Sequence, residues 1–213
     1  MKITKPGHCC LLIEENGVRI LTDPGAWSTA QNEIKNIDLV LITHEHSDHL
    51  HMDSVKKILQ NNPAAVIWTN SAVGKILSEA EISFSLLEHG QSENFKGITL
   101  EGHGEKHAVI YQEYGQVQNT GFMIADRLFY PGDSLYNPKK SVEILALPVA
   151  GPWLKISDAV DYAIAIKPKI AFPVHDAMIN ISMFSGHHGI PKTFLPKADI
   201  EFNDLREQNW LEV

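Results

Sequence analysis

Apolar residues along this chain fall into short runs separated by turn signals, and helical spacing is confined to a few stretches. The runs at 8–14 and 17–23 flank Glu15-Asn16 ahead of Gly17, which predicts an antiparallel hairpin. Pro24-Gly25 stops its second strand. A third run, 38–43, reads as a strand that leads straight into Thr43-His44-Glu45-His46-Ser47-Asp48-His49. Residues 53–60 place Val55, Ile58 and Leu59 at helical spacing, with Asp53 or Ser54 as the N-cap. A strand at 64–69 and a helix at 71–80 capped by Ser71 come next. Strands are then predicted at 97–101, 107–113, 119–125, 127–131 and 144–148. A helix at 157–166 with Ser157 as N-cap and a strand at 170–174 ending in His175 follow. Weak periodicity over 181–213 predicts a loop and a short terminal segment.

Strands come first, then β-α-β-α, then strands, then β-α-β, with no repeat, low-complexity stretch or linker between them. That order predicts two sheets with outer helices in one domain spanning 1–213, a length that suits a single sizeable core. Apolar residues at 44% and charged residues at 21% match an ordinary folded globular chain. The formal charge of −8 repels phosphate backbones, so a small-molecule substrate is expected in preference to nucleic acid. No window approaches the roughly 20 apolar residues of a membrane span, so no membrane partner is expected. The first residues hold no apolar core of the signal-peptide kind, and a cytoplasmic location is the default expectation. A homo-oligomer is left open.

The two cysteines, Cys9 and Cys10, are adjacent and poorly placed to staple distant segments. They read as small apolar residues of a buried strand, in keeping with a reducing compartment. So few thiols rule out a thiolate-rich zinc site, and any metal is expected to use imidazole and carboxylate.

Candidate chemistry concentrates after the 38–43 strand. His44 and His46 project to one side if the chain stays extended, and Asp48 and His49 follow as it turns. Four potential ligands within six residues suit two cations better than one. Imidazole and carboxylate suit zinc, and also manganese or iron. Two metals about 3.5–4 Å apart can share a hydroxide and clamp the attacking and leaving oxygens of a hydrolysis. Further ligands must come from elsewhere, and the candidates stand at strand ends: His107, Asp133 in Tyr130-Pro131-Gly132-Asp133, and His175.

His44-x-His46-x-Asp48-His49, a later His, Gly132-Asp133 and a final His resemble the metallo-β-lactamase superfamily. The segments from Gly7-His8-Cys9-Cys10 to Thr22-Asp23-Pro24, and from Leu147-Pro148 to Val174-His175, resemble its small metal-dependent hydrolases near the ascorbate-phosphate lactonase branch. The resemblance runs over about residues 3–178, with the motifs in order. It implies an α/β fold, a four-layer αββα sandwich with metals at one edge of the two sheets. By position, His44, His46 and His107 would hold one divalent ion, Asp48, His49 and His175 the second, and Asp133 would bridge them.

His103 competes with His107 as the third histidine, and the Gly-x-x-His-Ala context favours His107. His8 and Asp23 are expected to support the ligands from behind. Trp153 and Phe184 are candidate walls of a substrate pocket, and Lys155 a candidate anion-binding residue. His51, His89 and the pair His187-His188 are expected at the surface. The leading function is a metal-dependent hydrolase, zinc being the first-choice metal, that acts on an ester, lactone, amide or phosphodiester bond of a small, anionic substrate. Asp48 would orient the nucleophile and receive its proton. The alternatives are an iron-dependent oxidoreductase or dioxygenase on the same fold, a nucleic-acid phosphodiesterase, and a non-enzymatic scaffold.

Overall fold

The computed structural model describes residues 1–205 and 208–213, apart from the side chains of Ile181, Phe184 and Ser185. The first half of the chain builds β1 (Lys2–Gly7), β2 (Cys10–Glu15), β3 (Val18–Thr22) and β4 (Leu39–Ile42). Helix α1 (Met52–Asn61), β5 (Val66–Thr69), α2 (Ser71–Glu79) and β6 (Ser85–Leu86) follow. The second half supplies β7 (Ser92–Phe95), β8 (Ile98–His103), β9 (Gly121–Ile124), β10 (Leu128–Tyr130) and β11 (Ile144–Pro148). Next come α3 (Ile156–Ile166) and β12 (Ile170–Val174). The chain closes with α4 (Phe184–His187), α5 (Gly189–Phe194), β13 (Glu201–Phe202) and β14 (Trp210–Glu212).

Among the described residues these strands form two sheets, ordered β14-β1-β2-β3-β4-β5-β6 and β13-β12-β11-β10-β9-β8-β7. Both change direction in the same way. The first is antiparallel from β14 to β3 and parallel from β3 to β6. The second is antiparallel from β7 to β10 and parallel from β10 to β13.

Alternation along the strands explains the layers. Ile3, Leu11, Ile13, Ile20, Leu39 and Leu41 meet Leu100, Phe122, Ile124, Tyr130, Phe172 and Val174 between the sheets. Cys10, Leu12, Val40 and Ile42 point the other way, onto Val55 and Ile58 of α1 and Val73 and Leu77 of α2. Leu145, Leu147 and Ala171 likewise meet Ala159, Ala163 and Ile166 of α3 on the far face of the second sheet. The result is the αββα sandwich expected. The parallel strands β4, β10 and β12 then deliver their carboxyl ends, and the loops that follow, to one edge. No helix among the described residues is long and apolar enough to cross a membrane.

Several local expectations change. The strand expected at 107–113 does not form, and His107 lies in a loop between β8 and β9. Val109 is 61% exposed and Tyr111 68% exposed, so this apolar run finds no sheet to join. The N-cap of α1 is His51, whose Nδ1 meets Ser54 Oγ at 2.9 Å, rather than Asp53 or Ser54. Asn70, not Ser71, caps α2 by accepting a bond from the Val73 amide at 3.1 Å. Lys155 takes the N-cap position expected of Ser157 and makes no side-chain cap bond. The 181–213 stretch is richer than a loop, since it supplies α4, α5 and one strand to each sheet.

Candidate metal centre

His44 follows the end of β4, and the chain turns at once through His46, Asp48 and His49 into α1. The turn is held from below by Gly25, where an added Cβ would fall 1.7 Å from the Asp48 carbonyl oxygen. Gly132 makes the second close approach. It has φ +62°, and a Cβ there would lie 2.4 Å from Asn119 Oδ1 and 2.9 Å from Thr43 Cβ. Asn119 then accepts a bond from the Asp133 amide at 3.0 Å, which fixes the carboxylate at the end of β10.

Asp23 organises the first sheet's contribution. It accepts from the Thr43 amide at 2.7 Å, from Thr43 Oγ1 at 2.7 Å, from His49 Nδ1 at 2.6 Å and from the Tyr130 hydroxyl. Because Thr43 donates its proton to Asp23, its oxygen accepts from His44 Nδ1 at 2.9 Å. His107 Nδ1 donates to the Ala108 carbonyl at 2.5 Å. All three imidazoles therefore anchor Nδ1 to the scaffold and direct Nε2 inward, the arrangement that ligand histidines need.

The inward atoms converge. Asp133 Oδ2 lies 3.2 Å from His107 Nε2, 3.0 Å from His175 Nε2 and 4.0 Å from His44 Nε2, while Oδ1 lies 3.1 Å from His49 Nε2. Asp48 Oδ2 is 3.4 Å from His175 Nε2 and 3.8 Å from His49 Nε2. The His46 ring centroid is 4.8 Å from that of His44 and 4.7 Å from that of His107. Several of these contacts are short yet lack hydrogen-bond geometry. The nitrogens His44 Nε2, His49 Nε2 and both of His175, with Asp133 Oδ1, are buried without a hydrogen-bond partner. Each such atom normally costs ~1–3 kcal/mol, and a cation among them would satisfy the set. The residues fit a metal centre.

Charge follows the same division. Burial raises the Asp133 carboxyl, but His49 and His175 override it and hold the group well below the usual carboxylate range. Asp48 is likewise raised by burial and lowered further by the neighbouring His175 and His8, so it stays ionised. Burial lowers His49, but Asp133, Cys9 and Asp23 outweigh it and raise the group well above its ordinary value. His44 is lowered well below its ordinary value by burial, reinforced by His49.

The expected supporting residues lie against this cluster. His8 Nδ1 accepts from the Ala177 amide at 3.3 Å, leaving Nε2–H to donate to Asp48 Oδ2 at 3.2 Å. His8, Asp23 and His175 adopt φ of +49°, +37° and +60°, left-handed values for non-glycine residues. Such conformations cost about 1–3 kcal/mol each and gather where the surrounding structure over-determines them. His103 is not brought in; its Nε2 pairs with Glu101 at 3.0 Å on β8. His188 departs from the surface placement expected of it. It is fully buried, 2.6 Å from Asp204 and 3.3 Å from Asp176.

Sequence reasoning missed Cys9, read as an apolar filler. Its Sγ lies with ligand atoms of His8, His49 and His175 in a group whose members are all within 4.8 Å of one another. The signal was strand alternation: Cys10 packs under the helices, so Cys9 must face the space between the sheets, beside His8.

A cleft of about 480 Å³ opens above the cluster, with His46, Asp48, His107, Asp133 and His175 at its floor. Trp27, Ile110, Tyr114, Pro152, Trp153 and Met178 form its walls, and among the described residues no Lys or Arg lines it. Trp153 also donates Nε1–H to Asp133 Oδ2 at 3.0 Å. Lys155 stays exposed at the start of α3, outside this lining, and the Phe184 side chain lies outside the described residues.

Residues 2–175 match the family model described as the beta-lactamase superfamily domain. The chain belongs to the metallo-β-lactamase superfamily. Protein Rv0786c of Mycobacterium tuberculosis is 36% identical over 84% of this chain and 85% of its own length. A UPF0173 metal-dependent hydrolase of Carboxydothermus hydrogenoformans is 30% identical over 82% and 84%. Among solved structures, Igni18, a metallo hydrolase from Ignicoccus hospitalis, matches with a TM-score of 0.77 at 18% identity, covering 100% of this chain and 98% of its own. CmlA, a diiron β-hydroxylase from Streptomyces venezuelae, matches with a TM-score of 0.76 at 14% identity, over 100% of this chain and 53% of its own. These last two likenesses concern the fold. The superfamily member described here groups with metal-dependent hydrolases.

Proposed function

We propose that the chain, folded as one domain over 1–213, is a dinuclear hydrolase of a small neutral ester, lactone or amide. Short convergence of buried, unpartnered donors on Asp133 supports the metal centre most directly. His44, His46 and His107 would hold one divalent ion and Asp48, His49 and His175 the other, with Asp133 between them and zinc the first choice. When bound, two such ions polarise the scissile group and lower the pKa of water to about 7.

The chain's own residues do the rest. Asp48 orients the attacking water and takes its proton at Oδ1, while His8 Nε2–H holds Oδ2 at 3.2 Å. Trp27 and Trp153 flank the floor and exclude bulk water. Among the described residues the cleft walls are apolar and carry no cation, which favours a neutral acyl group over the anionic substrate expected from sequence, and gives a phosphodiester track nothing to hold.

The test is metal content per chain, measured with turnover of neutral and anionic lactones, esters, amides and phosphodiesters. Two divalent ions per chain and chelator-sensitive hydrolysis of neutral carbonyl substrates are expected. A fully loaded protein that turns over none of the panel, or a single iron with oxygen consumption, overturns the proposal.

A further inference from the structure

Resting on the reading that the cluster holds metal, we infer that Cys9 Sγ is itself a ligand, giving the His49/His175 side a soft thiolate donor. The metal nearest Asp48 would then be bound by sulfur as well as by nitrogen and oxygen.

Geometry supplies the first argument. Cys9 Sγ, His8, His49 and His175 offer donor atoms that all lie within 4.8 Å of one another. Donors around one zinc at about 2.0–2.3 Å stand roughly 3.5 Å apart, so closure by about an ångström would bring the sulfur into the shared coordination sphere. Cys9 is held in place for this. It is 1% exposed at the mouth of β2, its carbonyl accepts from Thr22 Oγ1 at 3.0 Å, and it forms no disulfide.

Unsatisfied partners supply the second. His175, with its side chain 3% exposed, has both ring nitrogens unpartnered, and His49 Nε2 is buried and unpartnered beside it. Cys9 borders the apolar core between the sheets and also lies beside three imidazoles. Binding would release the thiol proton to solvent, leaving a thiolate that neutralises one charge of the ion. Cys10 has no such opportunity, because it packs on the opposite face against α1 and α2.

Sulfur ligation biases the site toward zinc and against manganese, which prefers oxygen. It also has a signature that no outer-shell thiol shares. The full-length protein, stripped and reloaded with cobalt(II), is expected to show a thiolate-to-cobalt charge-transfer band in the near ultraviolet. In Cys10→Ala the only remaining cysteine is Cys9, so retention of the band there assigns it without touching the site. Cys9→Ser and Cys9→Ala are expected to take up cobalt but lose the band, with cadmium affinity falling about 10-fold or more. A cobalt-loaded wild type without the band, or a band that persists in Cys9→Ser, overturns the assignment and leaves the hydrolase reading standing. Failure of the wild type to take up cobalt at all overturns both.

Discussion

Asp23 Oδ2 and His49 Nδ1 lie 2.6 Å apart, both fully buried, and this contact joins the end of β3 to the turn after β4. The carboxylate does more than orient one ring, since through Thr43 it also orients His44. Asp23→Asn keeps the shape but presents an amide where His49 and Thr43 both need an acceptor. Metal affinity is expected to fall about 10- to 100-fold, the usual cost of losing such a partner. Chelator competition checks this, with circular dichroism to confirm folding. Unchanged affinity would mean that His49 is not a ligand or that its orientation does not depend on Asp23.

Asp48 is the proposed proton acceptor and stands at the cleft floor with its side chain 14% exposed. Asp48→Ala is therefore expected to leave the fold intact while lowering kcat by about 100- to 10,000-fold. His46→Ala, on the other side of the centre, should abolish hydrolysis through loss of the ion shared with His44 and His107, whereas Asp48→Ala weakens the His49/His175 ion. Steady-state kinetics with metal analysis on each variant separate the two effects. Turnover at the wild-type rate in either one removes that residue from the mechanism.

Much of this site was legible because its residues follow apolar runs whose type is unambiguous. Val40, Leu41 and Ile42 announce β4, so the direction of His44 followed; Phe172 and Val174 did the same for His175. His107 lies in a loop of no regular structure, and only its likeness to the family's motif preferred it to His103. β1, one strand in from the sheet edge, was hidden for a different reason. β1 carries one buried apolar residue, Ile3, and draws its stability from pairing with β2 and β14 rather than from its own pattern. The pairing of Asp23 with His49 is a tertiary contact between positions with no shared period, and Cys9 is distinguished from Cys10 only by the face that the sheet gives it.

Removal of metal should weaken the whole protein, because the unpartnered nitrogens of His44, His49 and His175 are then left buried. At a hundredfold excess of metal over its Kd, binding stabilises the folded state by about 2.7 kcal/mol. For a chain of this length that corresponds to about 5–10 °C in Tm. Calorimetry before and after chelation, and again after zinc is restored, checks the size and the reversibility. An identical Tm in all three states would show that the cluster gains nothing from a cation.

Gly25→Ala probes the support beneath the turn. The new methyl would sit 1.7 Å from the Asp48 carbonyl oxygen and 2.0 Å from its carbonyl carbon, and backbone cannot yield as a flexible side chain does. Overpacking of this kind costs about 1–3 kcal/mol, and the displaced segment carries Asp48 and His49. Lower stability and weaker metal uptake are expected together. Loss of stability with uptake unchanged would show that the turn relaxes elsewhere.

The cleft walls give the clearest test of substrate class. Trp27 is 46% exposed and Tyr114 74% exposed, so a bound acyl group has apolar surface there to cover. Covering about 40–80 Å² of it is worth ~1–2 kcal/mol, so Trp27→Ala and Tyr114→Ala should each lower kcat/KM by about 5- to 30-fold. Lys155 lies outside the cleft lining, and Lys155→Ala should leave kcat/KM within about twofold for neutral substrates. If instead Lys155→Ala selectively raises KM for substrates bearing a carboxylate or phosphate, the α3 start must close over the cleft in the complex. The neutral-substrate reading would then give way to the anionic one.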